Sequence, residues 1–153
     1  KMEFSNDYFD VIFDGGTFSS LDLSLAYPAL VRVLKPGGVL IGIETFGHNP
    51  LANLKRRINE ILGKRTSWAA SHIFQEKDLK MAEKYFSQIK TYFFHPFSCL
   101  VLPFLDLPGG KILLKFFEFI DKILLFLPFL RKYAFKVVFI FSQPKKQNAK
   151  KII

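Results

Sequence analysis

Cysteine is almost absent: Cys99 is the only one in 153 residues, which excludes an internal disulfide and any zinc site built on several cysteines. A lone thiol fits a reducing compartment, and a cytoplasmic location is the expectation. Histidine is scarce too, and His48, His72 and His95 have no ligand-like spacing with one another or with Cys99, so no metal site is expected. No uncharged apolar run approaches the roughly 18 to 20 residues of a membrane-spanning helix. The opening Lys1-Met-Glu-Phe-Ser-Asn-Asp7 holds no apolar signal region. It also lacks a start methionine and leads at once into a strand pattern, so the chain is expected to be the later part of a longer protein.

Acidic residues number 13 against 22 Lys and Arg, for a net charge of +9. Such an excess permits an anionic partner. Its distribution argues otherwise, because it gathers in a terminal tail over 145–153 (Lys145, Lys146, Lys150, Lys151) and in a face at Lys55, Arg56 and Arg57. Neither is the aromatic-interleaved basic strip that stacks bases, so no nucleic-acid partner is expected. What the chain has in abundance is apolar surface. Hydrophobic residues make up 50%, with 19 Phe, and this surface requires a core, a partner, a lipid or a substrate to cover it.

Phe9 to Phe13 is a short apolar run between Asp10 and Asp14, the pattern of a strand buried on both faces of a parallel sheet. Gly15-Gly16 stops it. Asp22 is a suitable N-cap for a helix with Leu25, Ala29, Leu30 and Val33 inward and Pro28 as its one conflict. Lys35-Pro36-Gly37-Gly38 ends that helix, and Val39 to Ile43 is a second buried strand. The whole is a βαβ unit of an α/β protein. From Asn49, a cap, a helix carries Leu51, Leu54, Ile58, Ile61 and Leu62 as one apolar stripe up to Gly63. Gln75 to Phe86 reads as a further amphipathic helix, with Leu79, Ala82, Tyr85 and Phe86 inward. Ser87 to Leu102 reads as a strand.

Gly109 to Leu127 is a helix of Leu, Ile and Phe marked by one charged stripe, Lys111, Lys115, Glu118 and Lys122. Packing against the sheet is the preferred reading for its apolar surface. A lid over a hydrophobic acceptor and a face resting on lipid headgroups are the alternatives. Tyr133 to Phe141 is a last strand, expected to pair with the Ser87 to Leu102 strand. The domain is expected over 1–144, with a hydrophobic helical insertion at about 109–128.

Phe9-Asp-Val-Ile12, Gly15-Gly-Thr-Phe-Ser-Ser-Leu-Asp22 and Arg32-Val-Leu-Lys-Pro-Gly-Gly-Val-Leu40 together resemble the central and later motifs of class I S-adenosylmethionine-dependent methyltransferases, in the small-molecule group that includes quinone-biosynthesis enzymes. The motif-level likeness runs from Met2 to about Glu44; beyond that only the order of elements agrees. The resemblance implies part of a doubly wound, Rossmann-like α/β fold, in which this chain supplies the fourth to seventh strands. It implies S-adenosylmethionine as cofactor and a small, lipophilic molecule as acceptor. The family's glycine-rich donor loop and ribose-binding acid are not in this chain, so the N-terminal half of the same domain is an expected partner. The chain alone is expected to bind the donor poorly.

Carried over by matching positions, the resemblance places Gly15, Gly16, Thr17 and Phe18 at the methionine end of the donor, and Met2 and Glu3 beside its adenine. Ser19 and Ser20 stand where relatives often have histidine, so weak hydroxyl donors line the acceptor pocket in place of a base. Asp14 is counted with the donor side and Glu44 with the acceptor pocket, although a carboxylate capping a neighbouring helix is the preferred reading for both. His48, just after the second strand, suits an acid or base near neutral pH, and equally a surface or cap position. Trp68 fits an acceptor pocket or plain core.

A rival reading from another class is an inert α/β binding module that engages a membrane or partner through the helix at 110–127. Peripheral membrane contact follows from that reading. A short-chain dehydrogenase fragment is disfavoured, since Tyr8, Tyr27 and Tyr85 each lack the lysine of a Tyr-x-x-x-Lys pair.

Overall fold

The structure, a computed structural model, describes residues 2–64 and 73–146. Trp68 and His72 lie outside the described residues. In chain order the elements are β1 (Phe9–Asp14), α1 (Leu23–Val33), β2 (Leu34–Thr45), α2 (Pro50–Ile61), α3 (Glu76–Ala82), β3 (Phe86–Phe94), α4 (Gly110–Phe126) and β4 (Lys136–Pro144). The strands form one sheet in the order β1-β2-β4-β3. β1 and β2 are parallel. β3 and β4 run antiparallel, since Tyr85 O accepts from Lys145 N at one end and Phe94 O from Phe135 N at the other. The expected pairing of the last two strands is therefore present. Contacts divide the chain into two compact units, Lys1–Glu44 with Phe74–Tyr92 and Val138–Ile153, and Thr45–Ile73 with Phe93–Val137.

The first unit is built on the expected βαβ crossover. Asp22 caps α1, accepting from Ser24 N at 2.9 Å, and Pro28 sits buried within the helix. The inward face agrees with the expected one at Leu30 and Val33 but takes in Tyr27 and Val31 as well, while Leu25 is exposed. Helical spacing from Leu23 reaches Tyr27 and then Leu30 and Val31, which turns position 25 away from the sheet. The Lys-Pro-Gly-Gly string is not a turn ahead of a separate strand. β2 already pairs at Leu34 with Phe9, and Val39 pairs with Val11, so the string is accommodated as an irregularity inside one long strand.

β1 is not buried on both faces as its composition suggests. It is an edge strand, and with a neighbour on one side only it leaves Val11 55% and Phe13 64% exposed.

The core of this unit is aromatic. Phe139 stacks on Phe141 at 4.4 Å and 17° and on Phe74 at 5.2 Å and 24°, and meets Phe18 at 5.4 Å. All four are buried, and each contributes about 2 to 3 kcal/mol through apolar burial. Tyr27 is also fully buried, and its hydroxyl donates to Asp78 O at 3.1 Å, joining α1 to α3. Asp78 in turn accepts from Gln75 N at 2.8 Å at the start of α3.

Two lysines of the supposed solvated tail are engaged. Lys145 Nζ donates to Glu83 O at 2.7 Å. Lys146 Nζ donates to Val31 O at 2.7 Å and to Leu34 O, and pairs with Asp7 at 2.5 Å. A cation on the last carbonyls of α1 satisfies groups that the helix itself leaves open.

In the second unit α2 begins as expected at Asn49, whose Oδ1 accepts from Ala52 N at 2.9 Å. Its apolar stripe, however, faces outward: Leu54, Ile58, Ile61 and Leu62 are exposed, and Ala52 and Arg56 are the buried positions. The orientation follows from the anchor. Asn49 is 1% exposed, and its Nδ2 donates to Pro96 O at 2.8 Å and Tyr133 O at 2.7 Å. β3 is shorter than the expected strand, because His95, at φ 59°, and Pro96 end it. The residues beyond form short 3-10 turns at Ser98–Leu100 and Leu102–Phe104. A further 3-10 turn, Pro128–Tyr133, follows α4.

α4 does not bury its apolar surface by packing. Only Gly110 and Asp121 of its seventeen residues are buried. The cause is Asp121, which accepts from Phe97 N at 2.9 Å and Ser98 N at 3.0 Å. Two charge-assisted bonds to a carboxylate fix the rotation of the helix against the Phe97–Ser98 backbone.

Candidate functional site

Ligands of open α/β sheets lie beyond the carboxyl ends of parallel strands, and here that place is the loop Asp14–Ser20, with the end of β2 beside it. Asp14, the last residue of β1 and 4% exposed, turns its carboxylate back onto the loop. Its Oδ1 accepts from Thr17 N at 3.0 Å and from the Thr17 hydroxyl, and its Oδ2 accepts from Gly16 N at 3.3 Å. Gly16 has φ of 99°, a backbone state that side chains rarely adopt. The turn therefore demands glycine there, which is what the Gly-Gly pair supplies.

The second carboxylate acts similarly. Glu44, also buried, accepts from Ser19 N at 3.2 Å, where a short 3-10 turn of Phe18–Ser20 begins. Asp14, Gly16, Thr17, Ser19 and Glu44 are thus brought together, and both acids hold the N–H groups of the loop rather than capping a neighbouring α-helix. Gly15, Gly16, Thr17 and Ser20 are exposed and Ser19 is half-buried. A rim of exposed backbone without side chains at two glycines can admit the polar end of a ligand closely.

Phe18 departs from its expected part. Its ring is buried in the aromatic core against Tyr27, Phe74 and Phe139, so only its backbone faces the loop. Met2 and Glu3 belong to a segment that Arg32 gathers in. Its guanidinium donates to Met2 O at 2.9 Å, Phe4 O at 2.7 Å and Asn6 Oδ1 at 3.0 Å. Sequence reasoning quotes Arg32 as part of a motif and assigns it no task, although a fork of donors at a helix end is the signal for such a clamp.

Tyr27 is unsuited to proton transfer. Burial, followed by the negative charge of Asp78, pushes its phenol far above the ordinary range. His48 lies in the second unit, half-buried, with its ring edge-on to Phe46 at 5.6 Å. Among the described residues no group of three or more His, Cys, Asp or Glu side chains gathers as metal ligands.

The second unit has its own hollows. An apolar cavity of about 220 Å³ is lined by Pro50, Leu51, Phe97, Leu124, Leu130 and Tyr133, with Asn49 at one side. A groove of about 470 Å³ runs between the end of β3 and α4, past His95, Glu118, Asp121 and Lys122. His95 Nδ1 lies 2.8 Å from Ser98 Oγ, and Asp121 is taken up by backbone N–H groups.

No protein-family model matches the chain, and no curated protein matches its sequence. Solved structures do share its fold. Phosphoethanolamine N-methyltransferase 2 of Haemonchus contortus, in complex with phosphomonomethylethanolamine and S-adenosylhomocysteine, aligns over 94% of this chain and 35% of its own, at 18% identity and a TM-score of 0.56. A SAM-dependent methyltransferase of Thermotoga maritima aligns over 94% and 60%, at 17% identity and a TM-score of 0.55. Geranyl diphosphate C-methyltransferase of Streptomyces coelicolor, also with S-adenosylhomocysteine, aligns over 95% and 51%, at 17% identity and 0.54. The fold is that of S-adenosylmethionine-dependent methyltransferases, and the chain spans 35% to 60% of the length of these structures.

Proposed function

We propose that the protein transfers a methyl group from S-adenosylmethionine to a small acceptor, with the Asp14–Ser20 loop on the methionine side of the donor. The observation that carries this reading is the loop itself. A buried carboxylate at the end of β1 pins the N–H groups of Gly16 and Thr17, and a second at the end of β2 pins Ser19. The glycine backbone is thereby held open where α/β sheets take their ligands.

In this reading Gly15, Gly16 and Thr17 hold the methionine end, and Met2 and Glu3, held by Arg32, flank the adenine. When bound, the donor supplies a sulfonium methyl group, which an acceptor lone pair attacks in line as the carbon–sulfur bond breaks. The chain's own part is to position and desolvate. The Ser19 and Ser20 hydroxyls orient the acceptor, and no side chain of the first unit is assigned as base. Small acceptors of differing chemistry in the structural neighbours, phosphomonomethylethanolamine in one and geranyl diphosphate in another, support the acceptor class and leave its identity to experiment.

Calorimetric titration of S-adenosylmethionine into the full-length protein tests the reading, together with transfer of labelled methyl from the donor to extracted small molecules. Binding is expected to weaken about ten- to a hundredfold in Asp14→Ala, since loss of one charge-assisted acceptor costs about 1.5 to 3 kcal/mol. A folded protein that neither binds donor nor labels any acceptor would overturn it.

A further inference from the structure

We infer that the outward face of α4 is a docking surface for an anionic phospholipid bilayer, a property independent of methyl transfer. Ile112, Phe116, Phe119, Ile123 and Phe126 follow one another at spacings of four and three, which draws a single stripe down the helix. Every one of them is 56% to 81% exposed. Asp121 lies on the opposite side and fastens the helix to the backbone of Phe97 and Ser98, so the stripe is held outward. The turns that contact α4, Ser98–Leu100 and Pro128–Tyr133, carry further exposed apolar side chains, Leu100 and Phe129. An exposed apolar area of this kind on a monomer marks a surface that another phase or molecule covers.

Charge selects the occupant. Lys111, Lys115 and Lys122, all exposed, run along one flank of the stripe with the half-buried Glu118 as the one acid among them, and Arg131 and Lys132 follow in the adjoining turn, which leaves the face net cationic. A second copy laid on this face would set like charge against like in a chain that already carries +9. An anionic headgroup layer instead neutralises the lysines while the rings enter the acyl boundary and the lysine stems reach back to the surface. α4 has seventeen residues, a rise of about 25 Å, and no helix among the described residues is long and apolar enough to cross a membrane. The helix therefore lies in the interface plane.

The test is co-sedimentation of the full-length protein with vesicles of phosphatidylcholine containing roughly one-third phosphatidylserine, against vesicles of phosphatidylcholine alone. Binding is expected to favour the anionic vesicles and to fall in roughly 0.5 M salt. The double variant Phe116→Ser, Phe119→Ser is expected to weaken partitioning about tenfold or more. The triple variant Lys111→Gln, Lys115→Gln, Lys122→Gln is expected to abolish the preference for phosphatidylserine. These side chains are exposed, so thermal melts of the variants should match the parent and separate lost docking from lost folding. The inference is overturned if the parent protein does not sediment with anionic vesicles, or if its binding ignores these substitutions. It is equally overturned if gel filtration shows a dimer that the Phe variants dissociate while the parent leaves vesicles alone.

Discussion

The tip of the Phe139 ring abuts the bare Cα of Gly42 on the neighbouring strand, so that a Cβ at position 42 would overlap its Cζ and Cε atoms. Phe139 is wholly buried and stacked on Phe141 and Phe74, which leaves it no easy retreat. Gly42→Ala is therefore expected to cost about 1 to 3 kcal/mol in denaturant unfolding, the usual range for overpacking a filled core. The double variant Gly42→Ala, Phe139→Leu should lose less than the sum of its single variants, because the smaller side chain vacates the space. Additive costs would show that the two residues do not compete for it.

Asn49 does three things at once, capping α2 through Oδ1 and bridging Pro96 O and Tyr133 O through Nδ2. Asn49→Ala removes the cap and leaves two carbonyls short of a donor, a loss of about 2 to 4 kcal/mol by chemical denaturation. Asn49→Asp keeps the cap but sets a carboxylate against two carbonyl oxygens. At neutral pH it is expected to be at least as damaging as alanine, and to recover as the pH falls and the carboxyl gains a proton. An aspartate variant as stable as the parent at pH 7 would count against this account.

Asp22 gives a pH dependence of known sign. The Ser24 hydroxyl and then the Ser24 N–H hold its carboxyl below the ordinary value of 3.8. Its folded form thus binds the proton more weakly than the unfolded chain does. The stabilisation it gives is complete above 3.8 and is lost as the pH falls through the lowered folded value. Thermal melts of the parent and Asp22→Ala should differ at pH 5 to 7 and converge in more acid solution. A gap that stays constant to pH 2 would contradict the assignment.

Cys99 should be a sluggish thiol. Burial, and next the charge of Asp121, raise it above its ordinary range, and Sγ points at Pro96 O, 3.7 Å away. Alkylation by iodoacetamide at pH 7 is expected to be several-fold slower than for glutathione, with the rate still climbing above pH 9.

The βαβ order was legible because its punctuation is local: Gly15-Gly16 and Asp22 mark boundaries whatever surrounds them, whereas the Lys-Pro-Gly-Gly string, which reads as a turn, lies inside β2. The loop after β1 was readable for the same reason, but that Asp14 and Glu44 both turn onto its N–H groups, rather than onto a helix, depends on the fold that brings Glu44 beside Ser19. Which way α2 and α4 face was not. Counting apolar positions assumes that the greasy side goes in, whereas a single buried polar anchor, Asn49 in one helix and Asp121 in the other, turned that side out. Phe18 looked like part of the site because it stands in the loop, yet its ring completes an aromatic cluster assembled from residues as distant in sequence as Phe74 and Phe139. The end of β3 at Pro96 was in plain view, but the aromatic run around it suggested a longer strand.

The two tasks of α4 fall on opposite sides of the same helix. Asp121 and its two N–H partners secure it, while the residues of the stripe contribute little to holding the fold. Substitution can therefore exchange one outward apolar side chain for another without disturbing the scaffold, so the surface is free to drift in size and shape. Position 121 has no such latitude, since a neutral or longer side chain there would release the helix from the turn beneath it.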